Sequence, residues 1–364
     1  MQKRKYRGYE EGLGREGEVQ RLGFSKGGGL GSFKLASKLE DYLNSIELKE
    51  LTSGYVKVLE LKLYEKQGLS NTIYLLKVEF DDGSNRELIL RVYPGNGKKA
   101  FKEFKILSIL HSKGVPVPRV YTIDESGEIL GKPFMIMEKI QQSPVTDSYE
   151  FIDAIAKSLV DIHSVSSSEV EGVLKVRRDY PMSDLKEVKA LTVISMLTTL
   201  GKPWIFTRLF SYAQKLEDCR VEARLRLIHG DYGFDNIVYS NGKAYVIDWE
   251  GAEVAEPTFD VAYAFNFLDF DDKMSGRKSR KLSEAFIDSY ERHGGSIVDF
   301  QFYRSLAALK LLAVLEAVSQ LGLIALIARE FRRRVKTEDA KRFLESFKKY
   351  LRSILNGKSL KENS

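Results

Sequence analysis

One short segment, residues 231–248, constrains the fold of this chain more than any other feature. Asp231 is followed by Asn236 and then by Asp248, which stands at the end of an apolar run. Two β-rich runs lie between Asn236 and Asp248, and an Asn-Gly pair between the runs is typical of a tight hairpin turn. A hairpin puts Asn236 at the entry of one strand and Asp248 at the exit of its partner. The pattern therefore predicts that both side chains face one site.

These residue types at this spacing suit phosphoryl transfer. That reaction needs a carboxylate that orients a hydroxyl acceptor and takes its proton, and oxygen ligands that hold Mg²⁺ on a triphosphate. Asp231 fits the first role. Asn236 and Asp248 fit the second, because Mg²⁺ binds a few hard protein oxygens and keeps water and phosphate as its other ligands. Each residue alone could equally be an ordinary turn acid or strand-end amide, but the combination on a hairpin favours phosphotransfer.

The same residues carry a resemblance to a known family. His-Gly-Asp-x-x-x-x-Asn at residues 229–236, followed by Ile-Asp-Trp-Glu at residues 247–250, resembles the aminoglycoside phosphotransferase and choline kinase superfamily. These are small-molecule kinases of protein-kinase-like fold. Residues 256–262 are similar to the family's Gly-x-x-x-x-Asp-Leu-Ala segment, whose Asp, here Asp260, usually braces the catalytic loop. The resemblance implies an α+β, two-lobe fold, ATP or another NTP with Mg²⁺, and a small-molecule hydroxyl acceptor.

The chain divides into three predicted parts. Residues 1–34 are rich in glycine and charge and are expected to be a flexible segment, residues 35–139 to be a nucleotide-binding N-lobe, and residues 140–364 to be a helical C-lobe with the catalytic loop and acceptor site. A G-x-G-x-x-G match at residues 12–17 has no strand before it and is assigned to the flexible segment. Strands are predicted at 56–64, 72–80, 87–93 and 133–137, and helices at 35–50, 101–110, 151–163, 184–222 with a break near 201–203, 262–269, 281–292, 300–334 and 338–355.

Residues 66–71 lie between the first two predicted strands, where a kinase-like fold has the loop over the phosphates. Gly68 allows a close backbone approach, and Ser70 and Asn71 can donate to phosphate oxygens. The composition also suits a plain hairpin turn.

The resemblance also implies a nucleotide site in the rest of the N-lobe. Arg91 ends an apolar strand and takes the place of the lysine that grips the α- and β-phosphates, which a guanidinium can bind with two hydrogen bonds. Glu103, on the following amphipathic helix, is its expected ion-pair partner, although an exposed helix acid is the alternative. Backbone groups near Glu138 and Ile140 are expected at the adenine, in the hinge between the lobes.

We interpret the chain as an ATP-dependent phosphotransferase acting on a hydroxyl of a small molecule. Asp231 is the base, and His229 is expected to support the loop by hydrogen bonding. The alternatives are a nucleotide-binding pseudokinase, against which the intact acid set argues, and a protein Ser/Thr kinase. Gly230, Trp249 and the lack of an Ala-Pro-Glu sequence after Asp248 argue against the latter.

Composition limits the class further. The net charge of +6 permits attraction of polyphosphate without requiring nucleic acid, so no nucleic-acid partner is expected. The single cysteine, Cys219, excludes a disulfide within one chain and favours a reducing cytoplasm. The most apolar stretch, residues 306–328, is interrupted by Lys310 and Glu316, so no membrane span is expected.

The sequence does not specify the acceptor or the oligomeric state. Acids near the expected acceptor side could attract an amine, and aromatic residues there could pack on a cation or fill the core. The acids are Glu250, Glu253, Asp269, Asp271 and Asp272, and the aromatic residues are Trp249, Tyr263, Phe265 and Phe267.

Overall fold

The structure is a computed structural model that describes residues 30–46, 54–65, 71–177, 179–198, 203–219, 221, 223–320 and 338–357. Within these residues, a β-rich N-lobe precedes a helical C-lobe. The N-lobe contains α1 (Leu30–Ser45), β1 (Val56–Leu63), β2 (Thr72–Phe80), β3 (Asn85–Val92), α2 (Lys98–Ser112), β4 (Val120–Asp124) and β5 (Phe134–Glu138). The five strands form one antiparallel sheet in the order β1-β2-β3-β5-β4.

The two faces of this sheet are separated by the alternation of side chains along the central strand β3. Leu88 and Leu90 lie in the cluster that includes residues of α1, whereas Ile89 packs in the cluster that includes residues of α2. Since successive side chains in a strand point to opposite faces, Arg91 follows Ile89 on the α2 side. The strand pattern thus brings a guanidinium to the helix that carries Glu103.

The C-lobe is built from helices around two short two-stranded sheets. β6 (Arg226–Ile228) pairs antiparallel with β9 (Glu253–Ala255), and β7 (Ile237–Ser240) pairs with β8 (Lys243–Val246). The helices are α3 (Ser148–Ser164), α4 (Met182–Thr198), α5 (Pro203–Glu217), α6 (Thr258–Met274), α7 (Leu282–Arg292), α8 (Phe300–Gln320) and α9 (Glu338–Asn356).

The α+β fold class predicted from the sequence is confirmed. The predictions omit the strands β4, β6 and β9, and the other differences lie at the ends of elements. The first helix begins at Leu30 rather than at Leu35, and α6 extends beyond the predicted residues 262–269 at both ends. The predicted break near residues 201–203 is present, and Pro203 is the first residue of α5, where its missing N–H leaves no hydrogen bond unmade.

Some predictions fall on residues that the structure does not describe. These are the G-x-G-x-x-G match at 12–17, Gly68 and Ser70, and the part of the last long apolar helix after residue 320. Among the described helices, none is long and apolar enough to cross a membrane.

Candidate active site

The catalytic loop turns sharply at Gly230, directly after β6 and His229. Gly230 has a φ of +81°, and a Cβ atom there would lie 2.5 Å from the carbonyl oxygen of Gly251. Only glycine tolerates both the left-handed conformation and this close approach. The Gly of the His-Gly-Asp sequence therefore lets the loop pass against the segment that follows Asp248.

Asp260, near the start of α6, fixes this turn from below. The residue is fully buried, and its Oδ2 and Oδ1 accept hydrogen bonds from the backbone N–H groups of His229 at 2.6 Å and Gly230 at 2.9 Å. His163, predicted to be structural, lies 3.4 Å from Oδ2 through its Nε2 and contacts the Tyr290 hydroxyl through its Nδ1. The brace that the family resemblance implied for Asp260 is present.

His229 is buried with both ring nitrogens engaged. Its Nε2 lies 3.0 Å from the carbonyl oxygen of Ile247, to which it must donate, and its Nδ1 accepts from the Asp231 backbone N–H at 3.3 Å. The hydrogen bonds thus assign the neutral tautomer with the proton on Nε2. The ring ties the catalytic loop to the end of the β7–β8 hairpin.

The Asp231 carboxylate is held through both oxygens. Asn236 Nδ2 donates to Oδ2 at 3.0 Å and to the Asp231 carbonyl oxygen at 2.9 Å, while the hydroxyl of Tyr263 donates to Oδ1. Desolvation by the surrounding protein raises the pKa of Asp231, the charge of Asp248 adds to it, and the hydrogen bonds from Tyr263 and Asn236 oppose it. The residue is nevertheless open to solvent on one side, where an acceptor could approach.

The hairpin predicted between Asn236 and Asp248 is present. Its two-residue turn is Asn241 and Gly242, both with positive φ as the Asn-Gly signature requires, and the Ile247 N–H donates to the Asn236 carbonyl oxygen at 2.9 Å. Asp248 has a φ of 67° and a ψ of 66°, a strained left-handed conformation for a residue with a side chain. This conformation turns the chain out of β8 and points the carboxylate at the N-lobe.

Arg91 joins the N-lobe to Asp248. The guanidinium is 4% exposed, and its Nη2 lies 2.6 Å from Asp248 Oδ1 while its Nη1 lies 3.2 Å from Glu103 Oε1. The predicted Arg91–Glu103 ion pair is therefore present, and the contact with Asp248 was not foreseen. The side-chain amide of Asn71 is oriented with its oxygen towards Arg91, where it accepts from Nε at 3.1 Å and from Nη2 at 2.7 Å.

Glu103 is the buried acid at the centre of this contact. It is 1% exposed and also accepts from the Tyr93 hydroxyl at 2.7 Å and the Trp249 backbone N–H at 3.3 Å. Burial raises the pKa of Glu103, and the charge of Arg91 opposes that shift. Because the Trp249 N–H follows Asp248, the helix α2 contacts the same turn as Arg91.

The predicted hinge follows β5. The Glu138 N–H donates to the Arg119 carbonyl oxygen at 2.8 Å, and the Glu138 carboxylate accepts from the Arg119 N–H at 3.1 Å. These two bonds fix the strand end, and Ile140 follows it, half-buried. Beyond the hinge, the Ser143 N–H donates to the Tyr239 carbonyl oxygen at 2.8 Å, which attaches the linker to the hairpin that carries Asn236.

The acids expected near the acceptor are not free: internal partners contact Glu253, Asp269 and Asp272 among them. Glu253 pairs with Arg177, and Asp269 pairs with Arg304. Asp272 accepts from the first two N–H groups of α7 and forms an ion pair with Arg277. An amine would have to compete with these contacts, so the three acids are poor candidates for attracting one.

The aromatic residues also divide by role. Trp249 is fully buried and donates from Nε1 to the Val246 carbonyl oxygen at 3.1 Å, so it belongs to the core. Tyr263 donates from its hydroxyl to the Asp231 carboxylate. From the sequence, Tyr263 was predicted only to pack on a cation or fill the core. Its position three residues after Asp260 on one helix could have indicated that it faces the same loop as Asp260.

Curated proteins with similar sequences carry acyl-CoA dehydrogenase names. The chain is 28% identical over 246 residues to acyl-CoA dehydrogenase family member 10 of Mus musculus, covering 62% of this chain and 22% of that protein. It is 27% identical over 322 residues to family member 11 of Rattus norvegicus, covering 77% and 38%. The chain thus spans well under half the length of these relatives.

Solved structures with the same fold are phosphotransferases. A Ralstonia eutropha protein assigned as an aminoglycoside phosphotransferase has a TM-score of 0.64 at 17% identity, with 87% of this chain and 98% of that chain covered. A macrolide 2'-phosphotransferase type I has a TM-score of 0.56 at 18% identity and coverage of 86% and 96%. Ethanolamine kinase of Plasmodium vivax has a TM-score of 0.53 at 15% identity and coverage of 86% and 88%.

These neighbours place the two lobes in the kinase-like fold that the sequence predicted. The model of the phosphotransferase enzyme family, APH, matches residues 66–307, which is more than half of the chain and includes the sheet from β2 onwards and the whole catalytic loop. The chain therefore belongs to the APH phosphotransferase enzyme family.

Proposed function

We propose that this protein transfers the γ-phosphate of ATP, or of another NTP, to a hydroxyl of a small molecule. The observation that carries the proposal is the Asp231 carboxylate, held through both oxygens on a braced loop and open to solvent on one side. Phosphoryl transfer depends on positioning and charge stabilisation more than on covalent chemistry, so such a fixed carboxylate beside a metal site is the main requirement.

Asp231 acts on the acceptor. Its carboxylate has lone pairs beyond those that accept from Asn236 and Tyr263, and one of them can accept the hydrogen bond of an incoming hydroxyl. It orients that hydroxyl and takes its proton as the bond from the hydroxyl oxygen to the γ-phosphorus forms. The bond from the γ-phosphorus to the β,γ-bridging oxygen breaks in the same transfer, and the nucleoside diphosphate leaves. His229, with both nitrogens engaged, supports the loop and takes no part in proton transfer.

Asn236 and Asp248 fit a bound Mg²⁺. Asn236 directs its Nδ2 to Asp231 and so leaves its amide oxygen for a cation, and Asp248 gives only Oδ1 to Arg91. Amide and carboxylate oxygens are the protein ligands that Mg²⁺ prefers. When bound, the ion would offset the negative charge of the phosphates and so reduce the repulsion that opposes attack on them.

The N-lobe holds the nucleotide in this proposal. Arg91, which lies beside the proposed metal ligand Asp248, would meet a phosphate through its guanidinium, and Glu103 would orient that group. Gly68, Ser70 and Asn71 would cover the phosphates, and backbone groups near Glu138 and Ile140 would bind the base. The contact between Asn71 and Arg91 adds that Asn71 also fixes the arginine.

The acceptor is best sought with a panel of hydroxyl compounds. Amino alcohols, aminoglycosides and macrolides belong in it, because the neighbours in fold are named for such substrates. Simple sugars belong in it because the family resemblance of the sequence implies sugar-like acceptors as well. Hydroxylated acyl-CoA thioesters belong in it because of the names of the sequence relatives. Dehydrogenase activity is not carried over, since only a minor part of those proteins matches. We also place the enzyme in the cytoplasm in this proposal, because it would need Mg–ATP there and its single cysteine fits a reducing compartment.

Calorimetry with Mg–ATP and a phosphotransfer assay over the panel test the proposal together. We expect Asp248→Ala to lose Mg–ATP affinity, and Asp231→Ala to keep it but lose turnover by about 10²-fold or more, as expected for a missing general base. Asp235→Ala is the matched control, because it removes an exposed acid from the same loop.

Equal loss of nucleotide affinity in the Asp248 and Asp231 variants would contradict the division of roles. Binding of Mg–ATP without turnover on any acceptor would instead favour a pseudokinase. Phosphate transfer to a generic protein substrate would favour a protein kinase.

A further inference from the structure

The helix α6 contacts the catalytic loop through two side chains on one face. Asp260 accepts hydrogen bonds from the loop backbone at His229 and Gly230, and Tyr263 donates to the Asp231 carboxylate. Residues three apart on a helix lie on the same side. One rigid element therefore fixes both the backbone of the loop and the side chain that the loop presents.

Tyr263 is itself tightly held. It is 9% exposed, and its ring packs between Phe259, at a centroid distance of 6.1 Å, and Phe267, at 5.5 Å. Burial and the charge of Asp231 raise the pKa of the Tyr263 hydroxyl well above its ordinary value. The hydroxyl therefore stays protonated and acts as a donor.

The two donors on Asp231 come from different directions. Asn236, from the loop itself, holds Oδ2 at 3.0 Å, and Tyr263, from α6, holds Oδ1. A single hydrogen bond leaves the carboxylate free to rotate about its Cβ–Cγ bond, whereas one bond to each oxygen fixes its plane. The plane decides where the remaining lone pairs point, and hence where an acceptor hydroxyl can bind.

A second buried tyrosine–aspartate contact shows what is different at Asp231. Tyr350 donates to Asp269 at 2.7 Å, but Asp269 also forms ion pairs with Lys273 and Arg304. No lysine or arginine forms an ion pair with Asp231 within the part of the chain that the structure describes. A neutral hydroxyl orients a carboxylate without the strong hold of a cation, so Asp231 keeps its ability to accept a proton.

We propose that Tyr263 is a positioning residue that fixes the plane of the Asp231 carboxylate for the acceptor hydroxyl. This inference rests on the proposed phosphotransferase function. It assigns to Tyr263 an effect on turnover rather than on nucleotide binding, because the tyrosine touches Asp231 and neither of the two metal-ligand side chains.

Tyr263→Phe removes only the hydroxyl, and Tyr350→Phe is the matched control in the same lobe. Basal Mg–ATP hydrolysis, with water as the acceptor, gives kcat and the KM for ATP of each variant. We expect Tyr263→Phe to lower kcat about tenfold, because general-base catalysis contributes about 10² to 10⁴ and Asn236 still holds the other oxygen. The KM for ATP stays within about twofold, and Tyr350→Phe changes neither constant.

A double variant shows whether the tyrosine acts through Asp231. In an Asp231→Ala background, Tyr263→Phe has no carboxylate left to position, so it should not lower the residual kcat further. Each tyrosine variant loses one buried hydrogen bond to an aspartate, and thermal unfolding measures the stability that this loss costs.

The failures of the two proposals are distinguishable. If the wild-type protein turns over ATP but Tyr263→Phe has the kcat of Tyr350→Phe, the positioning role is overturned and the phosphotransferase function stands. An equal loss of kcat in the wild-type and Asp231→Ala backgrounds would overturn it as well. A wild-type protein that neither hydrolyses ATP nor phosphorylates any acceptor refutes the proposed function, and the role of Tyr263 falls with it.

Discussion

Removal of either partner of the buried Arg91–Glu103 ion pair should affect stability and nucleotide binding together. Arg91→Ala leaves Glu103, which is 1% exposed, with only the neutral donors of Tyr93 and Trp249. Breaking a buried pair in this way costs about 3–5 kcal/mol, because it leaves an uncompensated charge. We expect a loss in the middle of that range, about 4 kcal/mol, of a total stability of about 5–15 kcal/mol.

Glu103→Ala should cost less, about 3 kcal/mol, because Arg91 keeps its contacts with Asp248 and Asn71. The double variant leaves neither charge unpaired across this contact. The double variant should therefore lose about 2 kcal/mol less unfolding free energy than the sum of the two single variants. This difference lies within the range of coupling energies for residues in contact.

Equilibrium unfolding in urea measures these losses. The fluorescence of Trp249, which is fully buried and bonded to Glu103 through its backbone, reports on the site, and far-UV circular dichroism reports on the whole chain. Arg304→Ala is the control in the C-lobe, because it removes an arginine from a partly buried pair with Asp269. It should lose less stability, since Asp269 keeps Lys273 and Tyr350, and should keep its affinity for Mg–ATP, whereas Arg91→Ala should lose both stability and affinity.

Two results would refute this reasoning. Single losses that add in the double variant to within about 0.5 kcal/mol would mean that Arg91 and Glu103 act independently. An Arg91→Ala protein with unchanged Mg–ATP affinity would mean that the contact is structural only and that the nucleotide lies elsewhere.

Two further predictions concern the C-lobe. Gly230→Ala should lower both stability and turnover, because its Cβ would lie 2.5 Å from a carbonyl oxygen. Gly242→Ala has a similar φ of +78° but open space around it, so it should lose only about 1–2 kcal/mol of stability and keep its kcat. Equal effects of the two variants in thermal unfolding and kinetics would refute the steric argument. Burial alone would raise the pKa of Asp269, but hydrogen bonds from Lys273 and Tyr350 and the charge of Arg304 hold it below its ordinary value. Folding thus favours the ionised form of Asp269. Urea unfolding should therefore show wild type to be more stable than Asp269→Asn at pH 7, and this difference in stability should shrink as the pH falls below about 4. A difference that does not change with pH would contradict the prediction.

The sequence was sufficient for the parts of the site that depend on local order. The Asn-Gly pair requires two residues of positive φ and so specified the turn of the β7–β8 hairpin, and with it the positions of Asn236 and Asp248. The Arg91–Glu103 pair was implied by the family resemblance, which assigned the arginine to a strand and the acid to the helix that follows it. Each of these features involves neighbouring elements with a recognisable residue pattern.

The contacts that sequence reasoning missed join residues far apart in the chain. The hydrogen bonds from Arg91 to Asp248 and from Tyr263 to Asp231 depend on how the lobes and helices pack, which no local pattern encodes. The acceptor-side acids were overestimated for the same reason. Glu253 and Asp269 appear as free charges in the sequence, but arginines from distant elements, Arg177 and Arg304, neutralise them in the fold.

The contacts divide the site into two parts that are held in different ways. Asp231 is fixed entirely from within the C-lobe, by Asn236 and by Tyr263 on α6. The turn at Asp248 is instead held across the lobes, by Arg91 at the carboxylate, by Glu103 at the Trp249 N–H, and by Lys102, which donates to the Glu250 carbonyl oxygen at 3.1 Å.

A relative movement of the lobes would therefore act unequally on the two parts. It would change the contacts of the Asp248 carboxylate, which we propose as a metal ligand, while the proposed base Asp231 keeps both of its donors. Because nucleotide binding would occur where the lobes meet, it is the event that can reinforce the contacts across them, and acceptor binding at Asp231 would meet a site that is already formed. We therefore predict that acceptor selectivity depends on the shape of the C-lobe, whereas the affinity for metal–nucleotide depends on how closely the two lobes approach.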